Sequence, residues 1–121
     1  MPRYIDGFVL PLKKKNLAAY RRIAAKAGKI WKKYGALDYV EAVGDDLKIP
    51  GMETSFPGLA KSKPGETVVF SFITYKSRAD RDRVTKRIMQ DPEIMKICDP
   101  KKSPFDFQRM AYGGFKAIVE L

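Results

Sequence analysis

Apolar positions along the chain follow two periods, and the switches between them mark out the elements. Residues 4–12, YIDGFVLPL, alternate with a period of two, which places Tyr4, Asp6, Phe8 and Leu10 on one side of a strand and Ile5, Gly7 and Val9 on the other. Residues 16–34 change to a period of 3.6. Leu17, Tyr20, Ile23, Ala24, Ala27, Ile30, Trp31 and Tyr34 form one stripe, with Arg21, Arg22, Lys26, Lys29, Lys32 and Lys33 largely off it. This predicts an amphipathic helix capped by Asn16 and closed by Gly35, with Gly28 permitting close packing. Residues 36–45, ALDYVEAVGD, alternate again, and their carboxylates predict an edge strand. Residues 67–76, TVVFSFITYK, are almost wholly apolar and β-branched or aromatic, which predicts a central strand covered on both faces.

The remaining segments carry clear punctuation. Ser77 caps a helix over residues 78–90 that turns Val84, Ile88 and Met89 inward, with Arg78/Asp82 and Asp82/Lys86 spaced to pair on its surface. Asp91-Pro92 starts a short helix running to about Cys98, and residues 99–106 form a loop. The last strand, residues 109–121, contains Gly113-Gly114, which fits a bulge or a close approach by a ligand or another backbone. Residues 47–66 are broken by Pro50-Gly51, Pro57-Gly58 and Pro64-Gly65, and Met52, Phe56 and Leu59 predict that this connection folds back as a packed loop, a lid or an arm onto a partner.

The order strand, helix, strand, strand, helix, strand predicts an α+β, ferredoxin-like βαββαβ domain over residues 1–121. It has a four-stranded antiparallel sheet, both helices on one face, and the first and third strands central. The other face then needs a second cover. Ile5, Gly7 and Val9 with Val69, Ser71 and Ile73 suit the helix side, leaving Tyr4, Phe8 and Leu10 beside Phe70 and Phe72 for a second copy of the chain. The two faces can be exchanged, and either way a homodimer follows.

The stretches YIDGFVLPLKKKNLAAYRRIAAKAGKIWKKYGALDYVEAV, VVFSFITYKSRADRDRV and PFDFQRMAYGGF, spread over nearly the whole chain, resemble the YbaA-like bacterial family of uncharacterised function. The resemblance implies the dimeric α/β-barrel superfamily, which includes cofactor-independent oxygenases, isomerases and haem enzymes. It implies no particular activity.

Composition narrows the chemistry. The 121 residues contain no histidine, which removes Ser-His-Asp and Cys-His catalysis, histidine-ligated haem and nearly all catalytic zinc sites. No cofactor and no metal is expected, and acid–base work falls to carboxylates, tyrosines, lysines or Cys98. Cys98 stands alone, so no internal disulfide forms, and it reads as a small hydrophobe. The start lacks the order of a signal peptide and no run suits a membrane span, so a cytoplasmic protein is expected.

Two functions fit. One is a small-molecule enzyme or binding protein with its cleft in the barrel, using Tyr4, Asp6, Tyr39 and Glu41, with Arg109 and Tyr112 at the cleft mouth. Asp6 is the leading candidate base, because burial on a central strand raises a carboxyl pKa; the plainer alternative pairs it with a cation or a tyrosine. Glu41, nearer an edge, reads as an ordinary salt-bridge partner. The other function is an RNA-binding module, which the net charge of +10 permits although RNP, GXXG and zinc-knuckle signatures are missing.

Overall fold

The computed structural model describes residues 2–121. The strands are β1 (Tyr4–Lys13), β2 (Asp38–Val43), β3 (Glu66–Tyr75) and β4 (Ala111–Lys116); the helices are α1 (Leu17–Tyr34), α2 (Phe56–Ala60), α3 (Arg78–Ile88) and α4 (Pro92–Ile97). The sheet runs β2-β3-β1-β4 and every neighbouring pair is antiparallel. The two most apolar strands therefore sit in the middle, where each is paired on both sides. This is the ferredoxin-like arrangement that the alternation of periods predicts.

Local chemistry sets the helix ends. Ser77 accepts a hydrogen bond from the Asp80 amide at the start of α3, and Asp91 accepts one from Glu93 at the start of α4. Gly35 ends α1 at φ 119°, a left-handed conformation that glycine adopts without strain. Asn16 does not cap α1. Its Nδ2 donates instead to the Pro104 carbonyl at 2.9 Å and ties the start of the helix to the 103–105 segment.

Register corrects the assignment of faces. Asp6 stands opposite Ile73, Phe8 opposite Ser71 and Leu10 opposite Val69, while Gly7 and Val9 oppose Phe72 and Phe70. Cross-strand partners share a face, so Tyr4, Asp6, Phe8 and Leu10 lie with Val69, Ser71 and Ile73 beneath the helices. Ile5, Gly7 and Val9 share the outer face with Phe70 and Phe72. Two apolar clusters fill the helix side. One gathers Ala27, Ile30, Ile73, Tyr75, Val84, Ile88 and Ile94; the other gathers Leu10, Leu12, Tyr20, Ala24 and Val69.

Four further expectations change. The connection after β2 contains α2, which lies over the outer face with the Phe56 ring edge-on to Phe70 at 6.0 Å and Ala60 buried. The last strand stops at Lys116, with Arg109 already in a 3₁₀ turn and only the Ala117 amide continuing to the Arg3 carbonyl. Gly113-Gly114 forms no bulge, because the register passes unbroken through Gly7↔Gly113 and Asp6↔Gly114. A Cβ on Gly114 would collide with the Tyr4 ring and hydroxyl, so the group that approaches this glycine is a side chain and neither a ligand nor another backbone. On α3, Asp82 meets Arg81 at 3.2 Å and Arg83 pairs with Asp80, in place of the four-residue pairs.

Candidate functional site: a cavity between the long helix and the sheet

Small residues on the inner stripe of α1 keep the helix from filling the space above the sheet. Ala24 and Ala27 form part of a roof, Phe8, Leu10 and Ile73 the floor, and Ile97, Cys98, Phe105 and Met110 a side wall, around a cavity of about 190 Å³. Nearly all of its surface is apolar. Its one carboxylate is Glu41, flanked by Tyr20 and Tyr39.

The polar wall is built from two elements. Tyr39 and Glu41, two residues apart on β2, share the helix-side face. Tyr20 comes down from the first turn of α1. The Tyr20 hydroxyl donates to Glu41 Oε1 at 2.6 Å and the Tyr39 hydroxyl donates to Oε2 at 2.8 Å. Gly28 makes the arrangement fit, since a Cβ there would stand 2.7 Å from the Tyr39 ring. Burial, and then the neighbouring Glu41 charge and hydrogen bond, push both phenols well above their ordinary pKa, so both hydroxyls keep their protons and donate. Among the described residues Glu41 has no cation within ion-pair distance. The expected salt bridge is thus replaced by two hydroxyls. Each carboxylate oxygen still has lone-pair capacity for a further donor.

Asp6 belongs to a different cluster. It is 1% exposed, and its Oδ1 lies 3.7 Å from Arg81 Nη1 without a hydrogen-bond partner. Burial raises its pKa, while Arg81 and the neighbouring hydroxyls of Tyr75 and Tyr112 pull the other way. Arg81 in turn donates to the Tyr112 hydroxyl at 3.2 Å and to the Tyr4 hydroxyl at 3.3 Å, and its guanidinium lies over the Tyr4 ring. Tyr4, Asp6 and Tyr112 are therefore brought together, by an arginine of α3, outside the cavity lining. The link between the two groups is Trp31, which lines the cavity and donates to the Tyr75 hydroxyl at 3.1 Å.

Arg109 joins neither group. It grips Glu66 through two hydrogen bonds of 2.7 and 2.9 Å and also donates to the Lys61 carbonyl, locking the start of β3 to the segment before β4. That grip, with the Lys63 amide, holds the Glu66 carboxyl down to about 2. The Cys98 thiol, although it lines the cavity, is pushed up by burial and so stays protonated. No group of three or more Cys, Asp or Glu residues stands together as a metal site among the described residues.

Sequence reasoning overlooked Tyr20, Arg81 and Tyr75. Tyr20 sits within an apolar stripe, and the available signal was its hydroxyl, which must find a partner once buried. Arg81 looks like any arginine on a polar helix, and only the fold turns it toward Asp6.

Residues 3–107 match the family described as "protein of unknown function (DUF1428)". The chain is 39% identical over 118 residues to the uncharacterised protein YbaA of Escherichia coli strain K12, covering 98% of each. Among solved structures it is similar to a dimeric ferredoxin-like protein from an uncultured marine organism (TM-score 0.57, 11% identity, all of both chains covered). It is also similar to a nipsnap family protein with unknown function from Agrobacterium tumefaciens (TM-score 0.59, 14% identity, 96% and 88% covered). At these identities the likeness concerns the fold.

Proposed function

The chain belongs to the DUF1428 family, and on that premise we propose that it binds, and through Glu41 transforms, a small apolar molecule in the cavity beneath α1. The carrying observation is an apolar cavity of about 190 Å³ whose carboxylate meets hydroxyls instead of a cation. A cavity of about 150 Å³ lined by aliphatic and aromatic groups admits benzene, so the size here suits one ring with a substituent. Apolar burial supplies affinity, and the carboxylate fixes the orientation of one donor group.

The chemistry open to the site is proton abstraction. A ligand O–H or N–H within reach would donate a hydrogen bond to Glu41. A C–H acidified by an adjacent ligand carbonyl would instead pass its proton to the carboxylate, its electron pair moving onto that carbonyl as an enolate, and Glu41 would return the proton at another carbon of the enolate system. Tyr20 and Tyr39 would steady the charge before transfer and give it up only partly after. Asp6, countered by Arg81, serves here as a support for α3 on the sheet.

The outer face completes the reading. Phe70 is 44% exposed and Phe115 61% exposed there, on the same face as Val40 and the half-covered Phe72. Burying one such ring fully is worth roughly 1.5–3 kcal/mol, and a second copy packed sheet to sheet would cover them. The dimeric description of one structural neighbour supports this assembly.

Ligand-observed NMR with a panel of one- and two-ring aromatics tests the proposal. At least one compound should show transfer from the protein, and the signal should vanish in Ser71→Leu, which places a larger side chain in the cavity floor. A panel without binders, or binding indifferent to Ser71→Leu, would sink it.

A further inference from the structure

The geometry points to Ser71 as the group that recognises an oxygen of the ligand, and so to an apolar carbonyl compound, a ketone or amide carrying one ring, as the ligand class. This rests on the cavity reading above and deepens it by naming what the ligand carries beside its ring. Ser71 stands in the middle of β3, directly opposite Glu41 on β2 and Phe8 on β1. Directly opposed residues of antiparallel strands hold their Cβ atoms roughly 4.5–5.5 Å apart on one face. Ser71 and Glu41 therefore present a hydroxyl and a carboxylate side by side to the cavity that both line.

The Ser71 hydroxyl is free. The cavity's other hydroxyl and indole donors are engaged within the protein: Tyr20 and Tyr39 donate to Glu41, Trp31 to the Tyr75 hydroxyl and Ser103 to the Phe105 carbonyl. Among the described residues no hydrogen bond involves the Ser71 side chain. The residue is only 5% exposed, yet its oxygen is not sealed in as Asp6 Oδ1 and Arg81 Nε are. What surface it keeps opens on the cavity. Buried polar groups almost always have a partner, and a hydroxyl without one weighs against the fold where an alanine would not.

Ser71 offers a proton, and each Glu41 oxygen has lone-pair capacity for a further donor. A carbonyl compound answers both, with its oxygen on Ser71 and the N–H or acidified C–H next to the carbonyl on Glu41. For a ketone, the hydroxyl then lies at the oxygen that takes up the charge when Glu41 removes the neighbouring proton. A donor already in place there favours the transition state over the ground state. A hydrocarbon would leave the hydroxyl bare.

The test is an NMR titration of acetophenone and 2-phenylpropene, which differ by a carbonyl oxygen against a methylene group, with the wild-type protein and Ser71→Ala. The two compounds differ in hydration, so the ratio of their affinities is compared between the two proteins, which isolates the contact of hydroxyl and carbonyl. The ketone-to-hydrocarbon ratio should fall about fivefold in Ser71→Ala, with 2-phenylpropene bound as tightly as before or more so. The carbonyl-carbon resonance of bound acetophenone should lie downfield of its position in hydrocarbon solvent, and that shift in the wild-type protein serves if Ser71→Ala does not fold. A ratio indifferent to Ser71→Ala, or a bound resonance at the hydrocarbon position, would overturn the inference and leave the cavity reading standing as long as Ser71→Leu abolishes binding. Failure of these two compounds alone, with other aromatics bound, would also overturn only the inference. Failure of every aromatic would remove both.

Discussion

Asp6 and Glu41 are both carboxylates on the helix side of one sheet, yet the fold puts them to different uses. Asp6 lies on a central strand, is buried, and faces an arginine brought down by α3. Glu41 lies on an edge strand, is half-buried, and meets two phenol hydroxyls at the wall of an apolar cavity. Asp6 is held to Arg81 by charge at 3.7 Å, with its Oδ1 free of hydrogen bonds, and it lies outside the cavity lining. A carboxylate matched only by hydroxyls beside an apolar space keeps capacity for a third donor. On the proposed reading burial alone does not pick out the working carboxylate, and access to the cavity does.

The largest effect expected from breaking this contrast is on stability at Asp6. Asp6→Ala leaves Arg81 largely buried against the sheet without its countercharge, and losing one partner of a buried pair costs about 3–5 kcal/mol. The exposed Asp82 beside Arg81 should hold the loss to the lower part of that range. Glu41→Gln keeps an acceptor for one tyrosine and should cost about 1 kcal/mol. Urea denaturation of the two variants measures the difference directly, and equal losses would erase the distinction.

Next in size is Gly114→Ala. The added methyl would collide with the Tyr4 ring, which must then move away from Arg81. Overpacking of this kind costs about 1–3 kcal/mol. Tyr4→Leu in the same background should recover part of the loss, and the absence of recovery in thermal unfolding would show that the ring is not the obstacle.

Smaller still is the pH dependence, where a third carboxylate sharpens the comparison. The folded-state pKa of Glu66 is depressed to about 2 from an ordinary 4.5. Its contribution is therefore present above about 4.5 and is lost as pH falls toward 2. Asp6 has the opposite sign: its raised pKa means that burial of the anion weighs against the fold as pH rises through its folded-state value. Melting temperature followed through the acid range should fall less steeply in Glu66→Gln than in the wild-type protein, and more steeply in Asp6→Asn. Parallel curves for all three proteins would contradict these signs.

Much of the fold was legible because alternation and helical period are direct records of burial. The order of the six main elements, the central place of residues 67–76 and the edge position of the Glu41 strand all follow from such patterns. What was not legible depends on register. Alternation shows that Tyr4, Asp6, Phe8 and Leu10 share a face, but only the pairing of Phe8 with Ser71 shows which residues of the neighbouring strand share it with them. Asp6 and Glu41 both drew notice as carboxylates within strands. Their ranking required Arg81 and Tyr20, two helix residues whose sequence surroundings record polarity and period but not the partner across the interface. The glycine pair shows the same limit, since its purpose is the Tyr4 ring on a different strand.

The outer face gives a further contrast, since there the chain alone leaves Phe70 and Phe115 in water. Light scattering should find a species of twice the 13.7 kDa chain mass. Phe70→Glu should shift it toward the monomer while leaving the cavity side folded, and a wild-type protein that stays monomeric at micromolar concentration would remove the dimer.

The most direct measurement is the affinity of one bound aromatic amide, whose N–H can donate to Glu41, for the wild-type protein, Glu41→Gln and Asp6→Asn, side by side. Hydrogen bonds to a charged group are worth about 1.5–3 kcal/mol against about 1 for a neutral one. A several-fold to tenfold loss is therefore expected in Glu41→Gln, with near wild-type affinity in Asp6→Asn. Unchanged binding in Glu41→Gln with loss in Asp6→Asn would place the site at the arginine cluster instead and contradict the account.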